Sequence, residues 1–290
     1  MKRILSVLAA GTLLATGLPG AAEAAAAKVV IEDVTPNRGE TVGIGMPIIV
    51  WFKAPVKNKK AVESVLQVKS VKPTVGAWFW TTRMGRQVAI FRARKAWPAR
   101  QKVIFTAVLP GRTTKVTFKI GNAHVIRASA KTHKLVATSN GKVVRRWGVS
   151  MGSGGDVWSD GIDHRITTSG VHLVMEHKVQ VRMTPPGLKE GDKGWYDELV
   201  PWANRITDSG EYIHESVGEL YCLGKKNCSH GCIRSPGKDA KWFTHWSYRG
   251  DPVIITGTKR KLQWNNGWSY YQMPWKQWVQ GGALKKPVPT

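Results

Sequence analysis

The sequence predicts a mainly β protein, built as two consecutive units with a few short helices. Three observations carry this. Short runs of β-branched and aromatic residues recur from residue 28 onward, punctuated by Gly, Pro and Asn at the spacing of a sandwich. No stretch alternates strands with long helices, which argues against a doubly wound fold. A turn signal at Gly121-Asn122 divides the chain into a chemically inert half and a half rich in reactive side chains.

Residues 1–27 read as a signal peptide. Lys2 and Arg3 precede an apolar run from Ile4 to Leu18, and Ala21 to Ala27 offer small-residue cleavage sites. No later run is apolar enough to span a bilayer, so a secreted, extracytoplasmic chain without a membrane span is expected after cleavage. Residues 28–120 should form the first β unit, with strands over 29–31, 47–52, 87–91, 102–106 and 115–120. Residues 61–66 should make one or two helical turns. This half has no cysteine, no histidine and few acids, so it reads as a spacer rather than a catalyst.

The second unit should cover residues 121–257. Strands are expected over 124–129, 134–138, 143–150 and 169–175. Asn140-Gly141 between apolar runs predicts a tight hairpin. Residues 152–156 are Gly-rich but lack the lysine and spacing of a phosphate loop, and read as a flexible turn. Residues 183–197 form a long Pro-, Gly- and charge-rich loop, of the kind that usually serves function. Ser235-Pro236 signals a helix start, with Ser235 as the N-cap. That helix should run to about Trp246, with Ala240 and Phe243 facing inward. Residues 253–256 should be a closing strand. The tail, 258–290, carries Trp264, Trp268, Tyr270, Tyr271, Trp275 and Trp278, and is expected to pack on the second unit.

The chemistry concentrates in Ser229-His230-Gly231-Cys232-Ile233-Arg234, with His214 upstream in Glu211-Tyr212-Ile213-His214. A thiol attacks carbonyls as thiolate, and a nearby imidazole can take the proton and hold the ion pair. Gly231 lets substrate approach the backbone. The N–H groups of Gly231 and Cys232 are candidates to hold a developing oxyanion. His124, His133, His164, His172, His177 and His245 show no partner pattern and read as surface or packing residues. Cys222 and Cys228 flank a short step before the motif, and in an oxidising compartment such cysteines pair. A metal site made of His214, Cys222, Cys228 and His230 fits no standard zinc spacing, so neither a metal nor a cofactor is expected.

His214, a gap of 14 residues and then Ser229-His230-Gly231-Cys232 resemble the signature of the L,D-transpeptidases of the YkuD type. The resemblance runs from about Gly121 to the C-terminus through Gly148-Val149-Ser150-Met151-Gly152, Thr168-Ser169-Gly170 and Trp242-Phe243. Gly43-Ile44-Gly45-Met46-Pro47 lies in a first half similar to the bacterial immunoglobulin-like module of actinobacterial two-domain members. The resemblance implies an immunoglobulin-like sandwich followed by a β-rich catalytic domain. It also implies a cysteine acyltransferase acting on peptidoglycan stem peptides. Cys232 would attack the donor tetrapeptide at its third residue and release D-alanine. A stem-peptide amine would then resolve the thioester as a 3→3 cross-link.

By the same resemblance His214 is the base, oriented by the backbone carbonyl of Glu215, and His230 is a supporting group. Residues 183–197 match a lid. Tyr196, 18 positions before His214, is a candidate oxyanion donor beside Gly231. Ser229 and Arg234 flank the substrate site. Some members carry Asn where this chain has Arg234. Carbapenem β-lactams are implied as covalent inhibitors. Two alternatives stay open: an L,D-carboxypeptidase or cysteine peptidase using water as acceptor, and a non-catalytic wall-binding protein.

The chain has 290 residues, 14 tryptophans and a formal net charge of +25, which implies attraction to a polyanion. The basic residues are scattered and no nucleic-acid motif is present, so anionic cell-wall polymers are expected in place of nucleic acid. A monomer is expected.

Overall fold

The computed structural model describes residues 29–157, 160–185, 188–192 and 195–290. The predicted signal peptide therefore lies outside the described residues, as do Pro186, Gly187, Lys193 and Gly194 of the long loop. The first unit contains β1 (Ile31–Thr35), β2 (Thr41–Val42), β3 (Ile48–Phe52), α1 (Lys59–Val65), β4 (Leu66–Ser70), β5 (Val75–Arg83), β6 (Arg86–Ala93), β7 (Gln101–Leu109) and β8 (Arg112–Ile120). Two sheets result, in the orders β1-β3-β6-β5 and β2-β8-β7-β4. Val103, Phe105, Ala107 and Leu109 alternate along β7 into the core, as a one-sided strand requires. The aromatic run Trp78-Phe79-Trp80 lies on β5, a strand the sequence reading did not single out. β5 and β6 close through Met84 and Gly85 at φ 49° and 72°, with Arg83 opposite Arg86. Met-Gly is a weak hairpin signal, so the turn was not legible.

The second unit contains β9 (His124–Ser129), β10 (Lys134–Ser139), β11 (Lys142–Gly148), β12 (Gly170–Leu173), β13 (Glu176–Met183), β14 (Glu198–Arg205), β15 (Tyr212–Glu215), β16 (Ile233–Ser235), α2 (Gly237–Trp246) and β17 (Pro252–Thr256). One sheet runs β11-β10-β9-β17-β12 and the other β13-β14-β15-β16. Asn140 and Gly141 sit at φ 50° and 82°, and Ser139 pairs with Lys142. This is the two-residue hairpin read from the sequence. Ile126, Leu135, Val149, Ile213, Ile233, Phe243 and Val253 form the core between the sheets and α2.

Ser235 is not the helix cap. It ends β16, and its hydroxyl accepts from Trp147 Nε1 at 3.0 Å, while Pro236 takes the N-cap position. A strand pairing the sequence could not reveal had a stronger claim on this residue. Ala240 and Phe243 face inward as expected.

The tail departs from expectation more. After a short turn it forms α3 (Trp275–Gln280) and β18 (Val288–Pro289), and β18 extends the first unit's sheet beside β5. Trp278 is fully buried, stacks on Phe79 with centroids 4.7 Å apart, and donates to the Ala77 carbonyl at 3.0 Å. The tail also touches the second unit, where Gln272 Oε1 accepts from the Val171 N–H. It therefore bridges the two units, because β5 presents the aromatic face able to cover these tryptophans. Trp278→Ala should cost about 3–5 kcal/mol in denaturant unfolding. A loss below about 1 kcal/mol would mean the tail is not part of the sandwich core.

The two units are joined through backbone. Gly43 N–H donates to the Arg249 carbonyl at 2.8 Å and Gly45 N–H to that of Gly250 at 2.9 Å. A Cβ on Gly43 would lie 2.2 Å from the Asp251 nitrogen, so only glycine permits this approach. Arg249 adds an ion pair to Glu40 at 3.0 Å. The Gly43-Ile44-Gly45 string is thus the docking loop between units.

Candidate active site

The site is built on the parallel pair β15 and β16, where Ile213 faces Ile233 and His214 faces Arg234. Alternation sends Ile213 and Ile233 into the core, both fully buried. The opposite face then carries Tyr212, His214 and Arg234, with Cys232 at the entrance to β16. Strand geometry thereby gathers residues far apart in the sequence.

His214 is only 3% exposed, and its Nδ1 lies 2.6 Å from the carbonyl oxygen of Glu215. A carbonyl only accepts, so Nδ1 carries the hydrogen and Nε2 keeps its lone pair. Burial lowers the imidazole to about 4, with the Arg234 charge adding to the effect. Burial likewise pushes the Cys232 thiol up to about 12, against the pull of the Tyr212 backbone N–H. Burial therefore disfavours both charges of the thiolate–imidazolium pair expected from sequence, and favours a neutral resting pair.

Protonating His214 is harder in the folded chain, so the unfolded chain binds this proton first as pH falls below 6.5. Its contribution to stability is complete above pH 6.5 and is lost as pH falls toward about 4. Relative to His214→Gln, the native chain should lose about 2 kcal/mol between pH 7 and pH 4.5 in denaturant unfolding. A pH-independent difference would contradict the burial argument.

The nucleophile loop is braced internally. Ser229, 1% exposed, donates from Oγ to the Cys232 carbonyl at 2.6 Å and accepts from the Gly231 N–H at 3.2 Å. The Gly231 N–H is therefore engaged by Ser229, which corrects the expectation that it is free for an oxyanion. Gly231 sits at φ 124°, and its carbonyl accepts from Thr167 Oγ1 at 2.7 Å. Residues 152–156 are not a free turn. Gly152 N–H donates to Thr167 Oγ1 at 2.8 Å and Ser153 N–H to the Ser229 carbonyl at 2.9 Å. They buttress the cysteine loop, a role composition could not disclose.

Arg234 is buried and ion-paired with Glu219. Tyr196 stacks on His230 with ring centroids 4.8 Å apart, and both line a cavity of about 490 Å³ with Cys232. Burial raises the Tyr196 hydroxyl to about 12, so it keeps its proton. Burial lowers His230, helped by Arg165 and Arg234. The 183–197 segment joins β13 to β14, so the expected lid is the tip of a hairpin, and Pro185 and Leu188 line the cavity.

Cys222 and Cys228 form a disulfide with Cα atoms 6.3 Å apart, and Cys232 is the free cysteine. This uses two of the four side chains a metal site would have needed. Thiol titration of denatured, unreduced protein should count one thiol; a count of three would exclude the bridge. Of the remaining histidines, His124 stacks on Trp246 at 3.8 Å and bonds Asp251, a packing role as read. Sequence reasoning missed Glu211. It lines the same cavity, is 4% exposed, and bonds Thr168.

Fold and site together define a two-unit protein with a half-buried cysteine and a buried histidine on one sheet face beneath a hairpin. The bacterial Ig domain family matches residues 22–113, and the L,D-transpeptidase catalytic domain family matches residues 123–255. Probable L,D-transpeptidase 3 of Mycobacterium tuberculosis is 30% identical over 239 residues, covering 78% of this chain and 86% of that protein. L,D-transpeptidase 5 of the same organism is 28% identical over 263 residues, which is 86% of this chain. The chain spans 56% of the length of that relative and 62% of L,D-transpeptidase 2. Among solved structures, an LD transpeptidase in complex with imipenem aligns with a TM-score of 0.67 at 26% identity, covering 79% of this chain and 99% of that one. L,D-transpeptidase 3 from Mycobacterium tuberculosis with a faropenem-derived adduct aligns at 0.64 and 28% identity, covering 78% and 98%. This chain belongs to the L,D-transpeptidase family.

Proposed function

We propose that the protein is a peptidoglycan L,D-transpeptidase that forms 3→3 cross-links outside the cytoplasmic membrane. The observation that carries this is the His214 tautomer. With Nδ1–H held by the Glu215 carbonyl, Nε2 is a base on the same strand-pair face as Cys232.

The reaction runs in two halves. Substrate enters beneath the hairpin and presents the carbonyl of its third stem residue to Sγ. The thiol proton passes to His214 as the C–S bond forms, since burial disfavours charge on either group beforehand. The oxyanion is held by the Cys232 N–H and the Tyr196 hydroxyl, whose raised value keeps it a donor. His214 then protonates the leaving D-alanine. In the second half a stem-peptide amine attacks the thioester. Ser229 and Gly231 hold the loop, while His230 with Tyr196 forms the cavity wall. Arg234 disfavours protonation of His214 before substrate arrives. The first unit is a spacer, and the +25 net charge favours adsorption to anionic wall polymers. The imipenem and faropenem complexes of relatives support β-lactams as acylating inhibitors of Cys232.

Mass spectrometry after incubation with a disaccharide-tetrapeptide tests the reading. A dimer lacking one D-alanine supports it. A hydrolysed tripeptide as the sole product would make the enzyme a carboxypeptidase, and no reaction would leave a wall-binding role.

A further inference from the structure

The thiol cavity contains a buried carboxylate that the acylation chemistry does not use. Glu211 is 4% exposed. Its Oε1 accepts from the Thr168 N–H at 2.8 Å and its Oε2 from Thr168 Oγ1 at 2.6 Å. His172 Nε2 lies 2.8 Å from Thr168 Oγ1 and 3.4 Å from Oε2. The His172 Nδ1 is buried with no partner among the described residues. The chain of contacts runs His172 to Thr168 to Glu211.

The other acids lining the cavity face cations. Asp208 meets Arg83 at 2.7 Å and Asp156 lies 3.9 Å from Arg165. Among the described residues, Glu211 meets no lysine or arginine within ion-pair distance. It directly follows Gly210, whose carbonyl lies 3.6 Å from Cys232 Sγ. A negative charge here opposes thiolate formation, and Glu211 does raise the thiol. Bracing the Thr168 backbone alone does not call for a charge, since a glutamine oxygen would accept from that N–H equally well. The charge itself needs a use.

We infer that Glu211 receives the cationic amine of the acceptor in the second half-reaction, and so selects amine over water. This rests on the transpeptidase reading. A primary side-chain amine is an ammonium at neutral pH. Arg165, Arg182, Arg205 and Arg260 on the cavity walls would repel it. Glu211 supplies the compensating charge beside the thioester. The ammonium gives one proton to His214 Nε2, and the free amine attacks the thioester carbonyl. The C–S bond breaks as the amide forms. The second amine proton returns to sulfur, and His214 releases its proton to solvent. Glu211 is unchanged throughout.

Glu211→Gln removes the charge and keeps an oxygen for the Thr168 N–H, while its amide nitrogen meets Thr168 Oγ1 as a donor in place of an acceptor. Acyl-enzyme made from the tetrapeptide donor is challenged with a tripeptide carrying the side-chain amine, or with hydroxylamine, which is neutral at pH 7. Dimer, hydroxamate and hydrolysed product are quantified by mass spectrometry, and imipenem acylation is timed in parallel. The variant should lose about 10-fold or more in the dimer-to-hydrolysis ratio, the scale of one hydrogen bond to a charged group. Its hydroxamate yield should stay within about twofold, and its imipenem rate should not fall, since losing the charge removes one of the influences that raise the thiol. An unchanged dimer ratio would overturn the inference. So would parallel loss of all three with a lowered unfolding midpoint, which marks a structural brace. If the native enzyme forms no dimer while still taking up imipenem, the transpeptidase reading itself fails.

Discussion

Cys232→Ser should abolish dimer formation, with a loss of at least about 10⁴-fold, and should leave the fold intact. Cys222 and Cys228 are joined, so Cys232 is the thiol available to carry an acyl group. Serine retains the shape, but the hydroxyl is a far poorer nucleophile beside a base held near 4. Imipenem should add to the native chain at Cys232, and peptide mapping should find no adduct in the variant. With its thiol near 12, the resting enzyme should show no thiolate absorbance at neutral pH. An adduct at another residue, or dimer formed without Cys232, would refute the mechanism. Thiolate absorbance at pH 7 would refute the neutral resting pair alone.

The second large effect is expected at His214. His214→Ala should cut acylation by about 10²–10⁴-fold, the usual worth of a positioned base. His230→Ala should cost less. His230 packs against Tyr196 on the cavity wall, and among the described residues no backbone carbonyl orients it as Glu215 orients His214. Single-turnover acylation by imipenem reads this step without the acceptor. A larger loss at His230 would exchange the two roles. Equal stability of both variants at pH 7 keeps the comparison one of chemistry.

Much of the fold was legible because it is written in local signals. Asn140-Gly141 specifies its hairpin through two residues that tolerate positive φ. The Ser229–Cys232 string and the distant His214 supplied the side chains proposed to react, since few other residue types do this chemistry. Elements that depend on remote partners were not legible. β13 reads Glu-His-Lys-Val-Gln-Val-Arg-Met, which is too polar to mark a strand, and only pairing with β14 makes it one.

The sequence by itself determined the two-unit β organisation and pointed to the proposed nucleophile and base, because residue type and short-range pattern suffice for each. Tertiary structure alone decided protonation, which depends on burial and on neighbours brought from elsewhere in the chain. It placed the Glu215 carbonyl on His214 and set the burial that disfavours charge on both His214 and Cys232. It turned the Gly231 N–H toward Ser229 and took Ser235 into β16. It carried the tail's tryptophans across to β5. It also brought Thr168 and His172 to Glu211, converting an unmarked acid into a buried charge beside the thiol. Each of these is a contact between residues remote in sequence, and their energies depend on desolvation that no linear pattern records.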